Sequence, residues 1–546
     1  MFVFLLQVRH TLEDGGRIYL FAVFSTIVWL IWIVKVVLSR RYRPWTAPHA
    51  TTASVVIPVV DEPVELFREV LARIVEQDPH ETIVVINGPA NPALEQVCRH
   101  FPSVAWAWTP IAGKRNAVRV GTEMATGEIV VLVDSDTVWT EGTLAELVKP
   151  FADQRVGGVT TRQRILDYRR NLITRWADWL ENSRALYSMP AQSVLGQVGC
   201  LPGRTIAFRR EILIRAMPEF LGGRFLGVFL EVSDDRTLTN LTLREGYRTV
   251  YQSTSLVYTD APLRWRTLFK QQLRWSRGSQ YNTLRMLPWM VSHAPLLAVF
   301  FLIDIVLPFL LLGVLIGWAY RYVTGTGINF YAAFLDTYGV GSGVIRVALL
   351  MVVLSALSMG VRQLRHLAER PMDIFWMPVF VLVSSLFLMP IRLIGFFRLG
   401  HAGGWGTRAN AYTAEPATVD LAAVDLASSG PGRPDTHAAH TAHTAHERRD
   451  PLLDELAGLS GQGPSDIVDR ADKRLANGRG GAQTNTVTET DTVKVTETVT
   501  AETTSPARRQ QPRPIPAPAP RRLNFQAGIP YLIGFTIVAA EVIYHG

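Results

Sequence analysis

The sequence predicts an α/β domain embedded in an α-helical, multi-pass membrane protein. Short apolar segments alternate with helical stretches between residues 50 and 260, which is typical of a mostly parallel sheet covered by helices. Most other apolar residues form long runs near the N-terminus, between about residues 295 and 395, and near the C-terminus. A water-soluble core would spread them with the period of a helix or a strand. Long runs are instead typical of segments that cross a bilayer.

Within the α/β domain, the pattern predicts strands at Ser54–Val59, Thr82–Ile86 and Glu128–Val133 and a helix at Pro63–Glu76. Ligands of such sheets bind beyond the carboxyl ends of the strands. Polar residues that directly follow a strand are therefore the first candidates for a site.

Four apolar runs approach the length needed to cross a bilayer. Because a helix rises about 1.5 Å per residue, about 20 residues span a hydrocarbon core of ~30 Å. The runs are Tyr19–Leu38, Leu296–Tyr320, Val344–Val361 and the shorter and weaker Ala527–Tyr544. The first run lacks the basic start and small-residue cleavage site of a signal peptide, so we expect a retained anchor.

A fifth apolar run, Asp373–Phe397, has basic residues on both sides and is interrupted by Pro390 and Arg392. A re-entrant or interfacial helix pair would keep both flanks on the same side of the membrane, and we prefer it to a full crossing. Basic residues also follow the first and third runs, which predicts that residues 39–285 face the cytoplasm of a cell-membrane protein.

The net charge of +8 does not favour a nucleic-acid partner, because the basic residues gather beside the apolar runs, as the positive-inside rule requires. The chain has two cysteines, Cys98 and Cys200, and both lie in the predicted cytoplasmic part, so no disulfide framework is expected.

Two stretches, Asp167–Ser188 and Leu263–Met290, mix tryptophans with basic residues, which favours helices lying at the membrane surface; ordinary amphipathic helices packed inside the protein are the alternative. Residues 412–522 are poor in large apolar side chains and are predicted to be disordered. The predicted division is an anchor (1–44), an α/β domain (45–262), interfacial helices (263–293), a membrane region (294–411), a linker (412–522) and a C-terminal membrane helix (523–546).

Two acids, Asp134 and Asp136, directly follow the apolar strand that ends at Val133. Carboxylate oxygens suit a hard cation such as Mg²⁺ or Mn²⁺, which can bridge a diphosphate and neutralise a leaving group. Two acids in a solvated turn are also common, so this pair alone is weak evidence.

Further motifs accompany the acids, in order along the chain. They are Val56-Ile-Pro-Val-Val-Asp-Glu62, Gly113-Lys-Arg115, Asp134-Ser-Asp136, Gly199-Cys-Leu-Pro-Gly203, Ser233-Asp-Asp-Arg236, Gln271-Gln-Leu-Arg-Trp275 and Trp405-Gly-Thr-Arg408. Over about residues 50–410 this set resembles the processive family 2 glycosyltransferases, which include hyaluronan, cellulose and chitin synthases. The last motif is closer to hyaluronan synthases than to cellulose synthases.

The resemblance implies a GT-A-like fold and an inverting hexosyltransferase. Sugars would pass from UDP-sugar donors to a growing β-linked polysaccharide, hyaluronan-like or related, which crosses the bilayer. It implies Mg²⁺ or Mn²⁺ at Asp136. The donor-binding residues it implies are Pro58, Glu62, Lys114, Arg115, Asp134, Asp136, Gln271, Arg274, Trp405, Thr407 and Arg408.

By the same resemblance, Asp235 is the general base, with Asp234 and Arg236 shaping the catalytic site. Ser233-Asp-Asp can equally be the N-cap of the next helix, and Glu62 can cap the helix near Pro63. The acceptor contacts implied are Trp275, Gly199, Cys200 and Leu201. Trp275 would offer its ring for sugar stacking.

Three features depart from the family pattern. Asn87 stands where an acid is usual, and Ser233 stands where Gly or Thr is usual. One weak apolar run follows the Trp405 motif where two are usual, so a second copy or another partner is an option for completing the channel.

Asp304 lies inside a predicted span, where it either lines a channel or satisfies a neighbouring helix. Two rival functions also remain open. One is a non-processive transferase that loads a lipid carrier, and the other is a catalytically inactive export scaffold or sugar-nucleotide sensor.

Overall fold

The structure is a computed structural model that describes residues 20–227, 232–324, 337–401 and 525–545. All of them belong to one compact unit. The predicted linker and the motif from Trp405 to Arg408 lie outside the described residues.

Eight strands form one mixed sheet in the order β3-β2-β1-β4-β7-β6-β8-β5. They are β1 (Ala53–Val59), β2 (Glu81–Asn87), β3 (Val104–Thr109), β4 (Ile129–Val133), β5 (Thr137–Trp139), β6 (Val156–Ile165), β7 (Thr205–Arg209) and β8 (Arg248–Thr259). Neighbouring strands among the first four are parallel, which confirms the predicted strands and their arrangement. Beyond β4 the sheet is mixed, because β7 runs antiparallel to both of its neighbours.

The helices fall into two groups, those that cover the sheet and those near or within the apolar runs. The first group is α2 (Val64–Val75), α3 (Pro92–Arg99), α4 (Lys114–Met124), α5 (Thr143–Val148), α6 (Leu172–Ser183), α7 (Met189–Val194), α8 (Arg210–Gly222) and α9 (Asp234–Arg244). The second is α1 (Leu20–Ser39), α10 (Trp265–His293), α11 (Pro295–Thr324), α12 (Val340–Arg362), α13 (Leu364–Glu369), α14 (Met377–Leu382), α15 (Met389–Phe397) and α16 (Ile529–His545).

Apolar periodicity explains how the covering helices dock. Helix α2 buries Phe67, Leu71 and Ile74 at helical spacing against the sheet, while the strand β1 is buried along its whole length. Such burial on both faces is typical of parallel strands between helix layers. The core therefore holds the carboxyl ends of β1 and β4 at fixed positions.

Four segments of the described chain are apolar and long enough to span a bilayer: Ala22–Ser39, Pro295–Gly317, Val340–Arg362 and Pro371–Phe397. The first three coincide with predicted runs. The fourth is the segment for which we prefer a re-entrant path, and that preference stays a prediction. It is assembled from a 3-10 turn, α14, a π-helical turn (Val383–Leu388) and α15. The predicted C-terminal run forms α16.

The stretch predicted to lie on the membrane surface at Asp167–Ser188 instead buries its tryptophans inside the protein. Trp176 is fully buried, and Trp179 stacks on Phe380 of α14 with ring centroids 5.2 Å apart. The alternative of an amphipathic helix packed in the protein therefore describes α6 better. Within α10, by contrast, Trp265 is 43% exposed.

A polar network joins the sheet to the segment between the last two apolar spans. Arg162 and Arg164 of β6 each pair with Glu369 of α13 at 3.0 Å. Asn182 of α6 accepts from both arginines and donates to Glu369. The Asn182 amide also lies 3.0 Å from the ring of the fully buried His366. This network fixes how the α/β domain meets the helices beneath it.

Candidate active site

One cavity of about 440 Å³ brings together most of the motif residues that the sequence singled out. It lies beyond the carboxyl ends of β4 and β8 and reaches the helices α1 and α11. The predicted residues that line it are Lys114, Asp134, Asp136, Cys200, Asp234, Asp235, Arg236, Gln271, Arg274 and Trp275. Widely separated segments therefore converge on one space.

The acidic end of the cavity is built at the strand end of β4. Asp134 and Asp136 are held in the turn to β5, and the Lys114 ammonium, at the start of α4, forms an ion pair with Asp134. Asp260, the first residue after β8, lines the same end. Its enclosure raises the pKa of Asp260, and the negative charge of Asp136 adds to that rise.

The carboxylates at this end of the cavity suit the binding of a divalent cation. Mg²⁺ is typically held by one or two carboxylates and completes its shell with substrate phosphates and water. Asp136 and Asp260 both line this end of the cavity and would supply hard oxygen ligands, and a cation there would offset the charge of Asp136 that raises the pKa of Asp260. Within the described residues no group of three or more metal-ligating side chains occurs, so most ligands would come from the donor and water.

Glu62 and Asn87 form hydrogen bonds with backbone groups of the loops around the site. Glu62 accepts from the backbone N–H of Val60 at 3.0 Å and from the Ser135 hydroxyl at 2.5 Å, which ties the loop after β1 to the Asp134-Ser-Asp136 turn. Asn87 donates to the carbonyl of Val59 and accepts from the N–H of Gly113. An aspartate at position 87 has no N–H to donate, so the departure from the family pattern has a structural reason.

Arg115 points away from the cavity that Lys114 enters. Its Nε atom donates to Asp234 at 2.7 Å, its Nη1 atom donates to the carbonyl of Phe220, and its side chain is buried. Arg115 therefore holds the first turn of α9, whereas the family resemblance implied that it contacts the donor. Four other expected site residues also lie outside the cavity wall: Pro58, Glu62, Gly199 and Leu201.

Asp235 stands in the first turn of α9 with its carboxylate facing the cavity. Its Oδ1 atom accepts from the N–H of Arg236 at 2.8 Å, and its Oδ2 atom accepts from the N–H of Gly203 at 3.2 Å. Removal from water raises the pKa of Asp235, although the Arg236 N–H and the Lys114 charge oppose the rise. A carboxylate with a raised pKa, facing a cavity, suits a general base.

Ser233 occupies the N-cap position of α9 but makes no side-chain cap bond. Its φ of 54° lies in the left-handed region, which explains why glycine is usual here. Gly278 of α10 makes room for it, because a Cβ atom at Gly278 would lie 2.0 Å from the Ser233 hydroxyl. The predicted side-chain cap is therefore absent, and the turn is held by close packing.

Arg236 links the candidate base to helices α10 and α11. It is buried, and it donates to the hydroxyls of Ser279 and Thr283 on α10. Its guanidinium lies 3.7 Å from the ring centroid of Phe301 on α11. Arg236 thus orients the first turn of α9 against both helices.

Gln271, Arg274 and Trp275 lie on one face of α10 and all three line the cavity, as the i, i+3, i+4 spacing predicts. The guanidinium of Arg204 lies 5.9 Å from the ring centroid of Trp275. A flat indole at the cavity wall offers a stacking surface for a sugar.

Several wall residues were missed from the sequence: Lys35, Gln163, Arg184, Arg204, Asp260 and Arg392. Asp260 had a usable signal, since it too directly follows a strand. Lys35 and Arg392 carried a second signal as charged groups in apolar runs. The others depend on how distant elements pack. Asp304, whose two roles the sequence left open, lines the cavity and lies 3.9 Å from Arg392.

The part of the chain that carries most of these residues matches a known protein family. A family model described as "Glycosyltransferase like family 2" matches residues 49–278, which contain the sheet and the Gln271 motif. Residues 49–278 are a family 2 glycosyltransferase domain. The glycosyltransferase has the GT-A-like architecture that the sequence predicted, joined to four apolar segments that are long enough to span a membrane.

Curated relatives extend beyond that domain. The glycosyltransferase is 26% identical to a hyaluronan synthase of Streptococcus pyogenes over 427 residues, which cover 74% of this chain and 96% of the relative. It is 32% identical to an N-acetylglucosaminyltransferase of Neorhizobium galegae over 186 residues, 33% of this chain and 42% of the relative.

Among solved structures, the mannosyltransferase PcManGT from Pyrobaculum calidifontis, in complex with GDP-Man and Mn²⁺, has a TM-score of 0.42 and 21% identity. It covers 67% of this chain and 99% of that one. A likeness at this TM-score carries no weight for the chemistry of the glycosyltransferase.

Proposed function

We propose that this glycosyltransferase is a processive membrane polysaccharide synthase, which extends a β-linked glycan from UDP-sugar donors and passes it across the bilayer. One observation carries the proposal: the cavity that holds Asp235 is also walled by Lys35 of α1 and Asp304 of α11. Both helices are long and apolar enough to span a membrane. A product formed at Asp235 is therefore already at the membrane helices.

The donor sugar belongs at the acidic end of the cavity. Lys114 and Arg274 supply positive charge there for a diphosphate, and Arg274 can grip two phosphate oxygens at once. Asp136 would hold a divalent cation, with Asp260 facing it. When bound, that ion neutralises charge on the departing diphosphate.

Asp235 then acts on the acceptor hydroxyl. The hydroxyl oxygen attacks the anomeric carbon of the donor sugar, and its proton passes to the Asp235 carboxylate. A new glycosidic C–O bond forms while the bond between the anomeric carbon and the diphosphate oxygen breaks, and the diphosphate leaves with that electron pair. Attack from the opposite face inverts the anomeric carbon and gives a β-linkage.

Trp275 is the proposed platform for the acceptor end, because it lines the same cavity as Asp235. A stacked ring can hold successive sugars without reading their substituents, as repeated addition requires. Each added unit would shift the chain toward α1 and α11. We also propose that the α/β domain faces the cytoplasm and that a second copy or another partner completes the passage.

Two further observations support a polysaccharide product. The relative that aligns over nearly its whole length is a hyaluronan synthase, and the other is an N-acetylglucosaminyltransferase. The convergence of Asp136, Asp235 and Arg274 on one cavity argues against an inactive scaffold.

Purified protein in lipid nanodiscs, supplied with Mg²⁺ and single or paired radiolabelled UDP-sugars, tests the proposal. We expect UDP release together with a polymer that a chitinase, a cellulase or a hyaluronidase degrades. A requirement for two donors would indicate a hyaluronan-like heteropolymer. A single sugar attached to an extractable lipid would show the non-processive alternative, and no UDP release from any donor would overturn the proposal.

A further inference from the structure

The C-terminal helix α16 packs on the rest of the protein with one face. Its buried and half-buried positions include Gly534, Ile537, Val538 and Glu541, which lie together at the spacing of one side of a helix. Leu532 lies off this face and is 70% exposed. A defined surface of α16 is therefore docked, although the helix is far from α15 in the sequence.

Two glycines let α16 and the turn before it approach α15 closely. A Cβ atom at Gly400, just after α15, would lie 2.2 Å from the backbone carbonyl oxygen of Ala527. A Cβ atom at Gly534 would lie 2.3 Å from the ring of Phe397. Because one of these contacts is with the backbone, rotation of a side chain cannot relieve it. The two segments therefore hold each other in one position.

Hydrogen bonds continue this contact as far as α10. The Tyr531 hydroxyl is hydrogen-bonded to the ring of His401. Arg277 of α10 donates to the backbone carbonyls of His401 and Arg398. Arg277 lies two positions after Trp275, on a helix that lines the cavity. The start of α16 is thus joined, through the end of α15, to the helix that carries the proposed acceptor platform.

An apolar cluster behind the cavity wall receives the inner face of α16. Ile537 and Val538 pack against it, and its buried members come from the turn before α9 and from α10, α11 and α15. Those members are Val232, Tyr281, Ile305, Phe309, Phe396 and Leu399. Among the described residues of α16, none lines the cavity itself. The helix therefore supports the wall from behind.

The cluster holds one end of a strained turn that leads to the candidate base. Val232 is 4% exposed and directly precedes Ser233, and Asp235 follows two positions later. The φ of 54° at Ser233 is unfavourable for a residue with a Cβ atom. Such a conformation persists only where the surrounding structure imposes it. The position of Asp235 therefore depends on how firmly Val232 is packed.

We propose that α16 is a positioning element of the catalytic centre. Its docking on the cluster keeps the Ser233 turn in the left-handed conformation and so places the Asp235 carboxylate. Ile537 and Val538 act through Val232 and touch no substrate. The inference rests on the proposed role of Asp235 and does not depend on the length or the sugar composition of the product.

Full-length protein in lipid nanodiscs tests this inference through kcat for UDP release, the Kd of UDP and the thermal unfolding midpoint. We expect I537A/V538A to lower kcat by about 10- to 100-fold, since a displacement of about 1 Å has effects on that scale, and to leave the Kd of UDP unchanged. L532A is the matched control on the exposed side of α16 and should keep the parental kcat. A parental kcat in I537A/V538A, or weaker UDP binding as its only defect, would overturn the proposal.

S233G separates positioning from a general loss of stability. Glycine adopts the left-handed conformation without strain, so the turn then needs less support from α16. Adding S233G to I537A/V538A should restore most of kcat, whereas a loss caused by partial unfolding would persist. Absence of that recovery would overturn the proposed route through Ser233. If every donor gave only single transfers, processive synthesis would be excluded, and UDP release would still measure the positioning.

Discussion

The Nε atom of Arg115 donates to the Oδ1 atom of Asp234 across 2.7 Å, joining the first turn of α4 to the first turn of α9. The side chains are 4% and 8% exposed, so the pair is shielded from water. Arg115 also lies over the ring of Phe220, 5.0 Å from its centroid. The neighbour of Asp234 is the candidate base Asp235, so this pair positions the base without touching a substrate.

Replacing Arg115 by methionine should therefore destabilise the protein. Removing one partner of a buried pair leaves an unpaired charge and costs about 3–5 kcal/mol. We expect a lower thermal unfolding midpoint in detergent for R115M. E245Q, which breaks the exposed Arg215 pair, should cost at most about 1 kcal/mol. An R115M protein with an unchanged unfolding midpoint but weaker UDP binding would show that Arg115 contacts the donor.

The contact between Ser233 and Gly278 gives a prediction about packing. G278A should destabilise the protein by about 1–3 kcal/mol, because the new methyl group overlaps the Ser233 hydroxyl. S233G removes that hydroxyl and suits the left-handed backbone, so the double variant should recover most of the loss. G222A is the control, since a Cβ atom there meets nothing within 4 Å. Additive losses in the double variant would disprove the contact.

The raised pKa of Asp235 predicts the acid limb of the pH–rate profile. A general base works only when ionised, so activity should fall as the pH drops through a value above the ordinary aspartate pKa of about 3.9. D235N should lower kcat by about 10²- to 10⁴-fold and leave UDP affinity intact. UDP release by the two proteins across the pH range measures both effects. A D235N enzyme with parental kcat would exclude Asp235 as the base.

Trp275 should matter for elongation more than for a single transfer. W275A removes the stacking surface and should yield short products, while W275F keeps a smaller ring and should give intermediate lengths. Product size on gels, compared with UDP released, measures this. W289A is the matched control, because Trp289 is on the same helix and stacks on His293 outside the cavity wall. Full-length polymer from W275A would contradict the proposed platform.

Asp136 should set the metal requirement. D136A removes the proposed carboxylate ligand, so activity should need much higher Mg²⁺ or Mn²⁺ or be lost. E141Q alters an exposed acid nearby and should keep the parental metal dependence. A metal titration of UDP release compares the three proteins. Unchanged metal dependence in D136A would remove Asp136 from the site.

Strand ends and helical spacing, together with the family resemblance, predicted the parallel half of the sheet and ten of the residues that line the cavity. Asp134 and Asp136 follow a strand, and Gln271 and Trp275 share a helix face. For sequence neighbours such as Lys114 and Arg115, it was harder to predict which of the two faces the cavity. Successive helix positions point about 100° apart, and here Lys114 lines the cavity while Arg115 turns to Asp234.

Other features depend on partners far away in the chain. Glu62 could not be placed from its motif alone, because its partner Ser135 is brought to it by strand pairing. The tryptophans of α6 looked suited to lipid, since the sequence does not show that Phe380 covers Trp179. The strand directions in the mixed half of the sheet could not be predicted either, because apolar alternation is the same in parallel and antiparallel strands.

The network of Arg162, Arg164, Asn182 and Glu369 has a consequence for engineering. The α/β domain is not an independent unit, because Arg162 and Arg164 of β6 form ion pairs with Glu369 of α13, in the stretch that connects two apolar helices. If the α/β domain were joined to the helices of another protein, or expressed alone, these arginines would lose their ion pairs with Glu369. Chimaeras that exchange sugar specificity should therefore carry α13 together with the domain.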